Sequence, residues 1–289
     1  MIYLLLSILF STSLLVIFKF FEKNQINNTT GIVVNYITAA STGFLMSGNV
    51  PDPVRMFASS WSPWALLIGS IFISLFFIVA LSAQRNGMAI TSVANKMSLV
   101  IPVIAAMFLY NEQLSLLGAG GIVLALCGVV FTAIPSQQSG GRIALASWLF
   151  PALIFFGSGI SDTLIKYAET YHLQSVSREY FTAVLFSAAG IWGLIYFILQ
   201  QIRQKFIVPA KDILAGIALG IPNYFSIHFL FLALSESGMN SSTVIPVNNI
   251  GIVVASALAG LLLFKERYSS LNKVGLMLSI AAILMISFG

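Results

Sequence analysis

Charge is what this chain has least of: 8% of its 289 residues are Asp, Glu, Lys or Arg, against roughly 25% in an ordinary soluble domain. Hydrophobic residues make up 58%, so too little polar surface remains to cover a water-soluble globule. The bilayer is the expected solvent. Cysteine occurs once, as Cys127 inside an apolar run, which excludes a disulfide framework and a multi-thiolate metal site within one chain. The two histidines, His172 and His228, sit in different surroundings with no cluster of further ligands, so no metal site is expected. No nucleophile elbow, phosphate-binding glycine loop or metalloprotease motif occurs. These absences speak against an enzyme and against a nucleotide-driven pump, and no cofactor is expected.

What is present is a series of apolar runs near the length of about 20 residues that a helix needs to cross a hydrocarbon core about 30 Å thick. Ten can be marked: Ile2 to Phe21, Gly31 to Met46, Trp64 to Ala83, Met88 to Tyr110, Leu116 to Ile134, Ile143 to Tyr167, Tyr180 to Leu199, Ile213 to Leu234, Met239 to Phe264 and Val274 to Phe288. Gly31 to Met46 is the weakest. None shows the strict alternation of a transmembrane barrel strand, so the expectation is an all-α integral membrane protein with ten transmembrane helices. The first run lacks a basic stretch before it and ends in Phe-Lys-Phe-Phe-Glu-Lys rather than a small-residue cleavage site, so it is read as a retained helix.

A net charge of +5 could suggest nucleic acid, but the basic residues are scattered over loops and form no patch interleaved with aromatics. They report orientation instead. Loops joining odd to even helices hold Lys23, Arg85, Arg142, Arg203, Lys205, Lys211, Lys265, Arg267 and Lys273, whereas the other side holds Arg55 and Arg178. By the positive-inside rule both termini lie outside the cytoplasm.

Two stretches read as copies of each other. Tyr110-Asn111-Glu112-Gln113 and Phe264-Lys265-Glu266-Arg267 each close an apolar segment, supply a short polar turn and open the next. At the same separation Asn95 falls on Asn249, Gly121 on Gly275 and Leu124 on Leu278, while Gly87-Met88 resembles Gly238-Met239 at a slightly shorter separation that implies a small loop insertion. The polar stretch 135–142 divides a first five-helix repeat, 1–134, from a second, 143–289. Five is odd, so a repeat ends on the opposite side of the membrane from where it began. The two copies are therefore inverted, the arrangement of secondary carriers whose site lies near the midplane.

With these features the chain resembles the drug/metabolite transporter superfamily, in particular its ten-helix, EamA-type members, over nearly its whole length. The most specific part is Val100-Ile101-Pro102-Val103 before the Tyr110-Asn111-Glu112 turn, followed by Gly118, Gly121 and Gly128. The second copy keeps Glu266 and Gly275 but has Ser256 where the proline would stand. The resemblance implies a multi-pass secondary carrier of the cytoplasmic membrane that moves a small metabolite, amino acid or drug, often outward, by alternating access. Small four-helix exporters of that superfamily carry a membrane-embedded glutamate about two helical turns before a lysine at the end of the first helix. Here the lysines correspond to Lys19 and Lys166, and Ser11 and Ser158 occupy the glutamate positions, so proton-coupled export through that carboxylate is not expected.

Ionisable groups deep in a bilayer persist mainly where they face a cavity or one another. Lys96 lies about 12 Å along the fourth segment at roughly 1.5 Å per residue, and Asp162 lies well inside the sixth. Lys96 would bind a substrate carboxylate or phosphate, and Asp162 would balance it or bind an amine; the plainer reading pairs Asp162 with Lys166 one turn on. The amides of Asn95, Asn248 and Asn249 could orient a polar ligand or join helices. Pro222-Asn223-Tyr224 and Pro246 could break their helices. His228, on the face of Tyr224, could relay protons. Two rival readings are a membrane-embedded enzyme acting on lipids and a channel or non-catalytic subunit. The enzyme would need carboxylates gathered at one interface, whereas Glu112, Glu179, Glu236 and Glu266 are dispersed.

Overall fold

The computed structural model describes residues 1–48, 59–109, 115–134, 145–173, 176–205, 207–236 and 241–288. Two of the sequence features, Glu112 with its turn and the 135–142 boundary, lie outside the described residues. Among the described residues all regular structure is helical: α1 (Ile2–Lys23), α2 (Asn28–Ser47), α3 (Ser62–Arg85), α4 (Met88–Met97), α5 (Val100–Leu109), α6 (Leu116–Ala133), α7 (Leu145–Tyr171), α8 (Arg178–Gln204), α9 (Ala210–Glu236), α10 (Ser241–Phe264) and α11 (Ser270–Phe288). Hydrocarbon offers no partner to backbone N–H and C=O groups, so apolar runs of this length close their hydrogen bonds internally as helices.

Nine stretches among the described residues are long and apolar enough to cross a membrane, with α4 and α5 together forming one of them, Met88–Leu109. The chain is thus a multi-pass membrane protein. The 20-residue α2 falls short on apolarity, and its surroundings explain how it tolerates polar groups. It packs against α8 and α9, and Thr30, Asn35 and Tyr36 are buried. Its start precedes the apolar run because the Asn27 side chain accepts from the N–H groups of Thr29 and Thr30, at 2.9 and 3.2 Å, satisfying donors that a helix start leaves free.

One expected helix is two. The run Met88 to Tyr110 is interrupted at Ser98 and Leu99. Pro102 has no N–H to offer the carbonyl one turn back and its ring crowds that carbonyl. The Ser98 carbonyl instead accepts from Ile101 N–H at 2.9 Å, and the Ser98 hydroxyl closes onto the Asn95 carbonyl. At Pro222 and Pro246, where the sequence admits a break or a simple kink, α9 and α10 run on as helices.

Helices from either side of residues 135–144 pack chiefly across that divide: α1 on α9 and α10, α2 on α8 and α9, α3 on α7 and α8, α4 on α10 and α7, α6 on α11. The α6–α11 contact is close because glycines line it. A Cβ on Gly275 would lie 2.6 Å from Thr132 N, and one on Gly121 would lie 2.9 Å from Ile286 N. Small residues at such spacing let helix backbones approach without a hydrophobic driving force. Asn272 secures the same contact at one end, its amide donating to the carbonyls of Thr132 and Ile134 at 2.8 and 2.9 Å. Two apolar clusters result, one around Phe18, Tyr36, Ile68, Phe186 and Leu219, the other around Val93, Met97, Ala125, Phe155, Val253 and Ile283.

Candidate functional site

Where the two clusters meet there is a cavity of about 300 Å³, at the small end of the roughly 300 to 1,000 Å³ typical of small-molecule sites. Each wall is a helical stripe with the i, i+3, i+4 spacing of one helix face. From α1 come Ser11, Leu14 and Leu15; from α4 and the break, Ser92, Asn95, Lys96 and Leu99; from α7, Ser158, Ser161 and Asp162; from α9, Asn223, Ser226, Ile227 and Leu230; and from α10, Asn248, Asn249 and Ile252. Tyr36, Phe72, Phe76 and Phe186 complete an aromatic side.

Six of the eight residues marked from the sequence thus stand around one space. Lys96 is half-buried and Asp162 is exposed into the cavity. Each lies within electrostatic range of the other, yet among the described residues no ion pair joins Asp162 to Lys96. Asn95 donates through Nδ2 to Ser158 Oγ at 2.8 Å, linking α4 to α7. Asn223 donates to Asn35 Oδ1 at 3.2 Å. The buried Oδ1 of Asn248 has no hydrogen-bond partner among the described residues. An unpaired buried carbonyl costs about 1 to 3 kcal/mol, and a polar solute in the cavity would satisfy it.

Tyr224 and His228 stand apart, off the cavity wall. Their rings stack on each other, centroids 5.6 Å apart and 17° between planes. Phe225 and Phe229 pack on the same histidine. Among the described residues neither the Tyr224 hydroxyl nor His228 Nδ1 has a hydrogen-bond partner. Six polar residues of the wall or its support, Asn35, Tyr36, Thr91, Ser92, Ser161 and Ser226, carried no mark in the sequence. Asn35 and Tyr36 sit in the weakest apolar run, where a polar residue does not stand out. The two serines at the glutamate positions, Ser11 and Ser158, both face the cavity.

The signs of chemistry here are two opposite charges with no ion pair between them among the described residues and a set of amides, in a wall that mixes hydroxyl and apolar side chains. The break lies beside Lys96, and Leu99 within it also lines the cavity. Residues fit to hold a metal do not gather anywhere among the described residues.

No family model matches the chain. An uncharacterized protein of Haemophilus influenzae is 29% identical over 289 residues, covering 97% of this chain and 95% of that protein. One solved crystal structure superposes with a TM-score of 0.66 over 98% of this chain and 94% of the other, at 15% sequence identity. At that identity the likeness is one of fold.

Proposed function

We propose that the protein is a secondary transporter that moves a small polar solute across the cytoplasmic membrane by alternating access, with outward movement the expected direction. The observation that carries this reading is the cavity itself: Lys96, Asp162 and four asparagines around one space walled otherwise by hydroxyl and apolar side chains. Intramembrane charges facing a cavity mark solute pathways, and a discontinuous helix beside the site is the usual device of such carriers. In this reading α2 is the tenth spanning helix, residues 1–134 and 143–289 are inverted repeats, and the chain is a ten-helix, EamA-type member of the drug/metabolite transporter superfamily. The termini face away from the cytoplasm. Lys96 takes the anionic group of the solute, Asp162 balances that charge or takes an amine, and Asn95, Asn248 and Asn249 orient the polar groups between. A volume near 300 Å³ favours a metabolite over a larger drug. The test is counterflow with a metabolite panel in liposomes containing the purified protein. Saturable exchange supports a carrier, unsaturable flux supports a pore, and no flux of any solute removes the reading.

A further inference from the structure

At one end of the bundle a single carboxylate gathers the tips of four helices. Glu266 stands in the turn between α10 and α11, and both its oxygens accept from the Met88 N–H at 3.1 Å. Met88 opens α4, so the carboxylate satisfies a free donor and sits at the positive end of the helix dipole. Tyr268 donates to Oε2 at 3.0 Å. Burial, and then the adjoining Glu266 charge, raise the Tyr268 hydroxyl above its ordinary value, which keeps it a donor. From α1, Lys19 Nζ lies 3.4 Å from Glu266 Oε1 and donates to the Gln84 carbonyl at the end of α3 at 2.9 Å.

Glycine makes room for this carboxylate. Gly87 has φ of 101°, a conformation that side chains resist, and a Cβ there would lie 2.9 Å from Glu266 Oε2. A Cβ on Gly260 would collide with the same oxygen. The notch is therefore shaped to its occupant.

Between the knot and the cavity the packing is closed. Ser256 of α10, fully buried, donates to Ser92 of α4 at 2.6 Å, and Thr91 donates to Ser82 at 2.8 Å. Phe20 of α1 meets Phe264 of α10 edge to face at 5.4 Å. Any opening from this end has to part α1 and α4 from α10, and the Lys19–Glu266 pair spans that seam.

We infer that the Lys19–Glu266 ion pair is the tie that shuts this end of the cavity and parts when the cavity is reached from this side. The two side chains are 14% and 12% exposed. That places the pair between exposed surface ion pairs, which contribute little, and buried ones, whose breakage is far more costly. A contact in that range favours closure while leaving opening accessible. The tie's role in a cycle rests on the transport reading, whereas its existence does not.

The test uses purified protein without solute, in a Cys127→Ala background with Ser256→Cys as reporter behind the tie. Glu266→Gln keeps an oxygen for Met88 N–H and Tyr268 while removing the charge, and Lys19→Met removes the partner. Each variant should react with a maleimide roughly tenfold faster than the parent, equal to about 1.4 kcal/mol. The double variant should be no faster than either single one, as expected for two halves of one interaction. Unchanged rates in both single variants overturn the proposal. So does acceleration in Glu266→Gln with Lys19→Met at parental rate, which would assign the effect to the helix cap. Acceleration confined to variants that lose cooperative thermal unfolding also overturns it. Should Glu266→Gln not fold, Lys19→Met decides alone. Absence of flux from wild-type liposomes would remove the transport reading and leave the labelling result standing.

Discussion

Lys96→Met isolates the charge at the centre of the cavity. Methionine keeps an unbranched chain of similar reach and removes the ammonium. Lys96 makes no hydrogen bond or ion pair within the described residues, so the substitution breaks no direct contact, but it takes away the positive charge within electrostatic range of Asp162. Burying a lysine near the middle of a membrane costs at least about 2.5 kcal/mol on insertion scales, which offsets the loss of the charge opposite Asp162, so thermal stability should stay close to wild type. A solute anion bound by that ammonium would lose a charged hydrogen bond worth about 1.5 to 3 kcal/mol. Apparent affinity should therefore fall roughly ten- to 150-fold. Counterflow at varied solute concentration, beside a melting curve on the same preparation, measures both quantities. Unaltered affinity would refute the assignment, and so would a loss of affinity accompanied by an equal loss of stability, because that pairing describes a structural lysine.

Asn95→Leu and Asn249→Leu should each lower apparent affinity about ten- to a hundredfold, from about 1 to 3 kcal/mol of unpaired polar groups; affinity unchanged in both variants would take the pair out of the site. Of the two, Asn95→Leu should also cost some stability, since it strands the Ser158 hydroxyl that Asn95 now reaches at 2.8 Å. A cysteine replacing exposed Gln204, in a Cys127→Ala background, should resist a membrane-impermeant thiol reagent in intact cells and react after permeabilisation. Equal labelling before and after would reverse the orientation. Asn272→Ala should lower the melting temperature, because the carbonyls of Thr132 and Ile134 lose their donor at about 1 to 3 kcal/mol, with solute affinity unaffected; a melting curve that superposes on wild type would contradict the bracing role.

The polar wall was legible where a charge or amide interrupts an apolar run, as at Asn95, Lys96, Asp162, Asn248 and Asn249. Which way a helix faces was less so. Tyr224 and His228 do share a face of α9, as their spacing implied. However, the face that meets the cavity carries Asn223, Ser226, Ile227 and Leu230, and at 3.6 residues per turn one position is about 100° of rotation. Hydropathy passed straight through Ser98 and Leu99 because the run stays apolar there, so the break had to come from Pro102 rather than from composition. Glu266 read only as part of a turn. Its partners Lys19 and Met88 are distant in sequence, and no local pattern announces them.

The glycine seam between α6 and α11 bears on how the chain is made. α6 is synthesised before α7, α8, α9 and α10, and its intended neighbour α11 comes after all of them. During that interval Gly121 and Gly128 face lipid or a provisional partner, and Asn95 and Lys96 lack the wall formed by α7, α9 and α10. The early helices must therefore wait in the bilayer in an incompletely assembled form. A nascent chain halted before α11 is a natural target for membrane quality control, because it shows a groove of bare backbone where the finished protein has a helix.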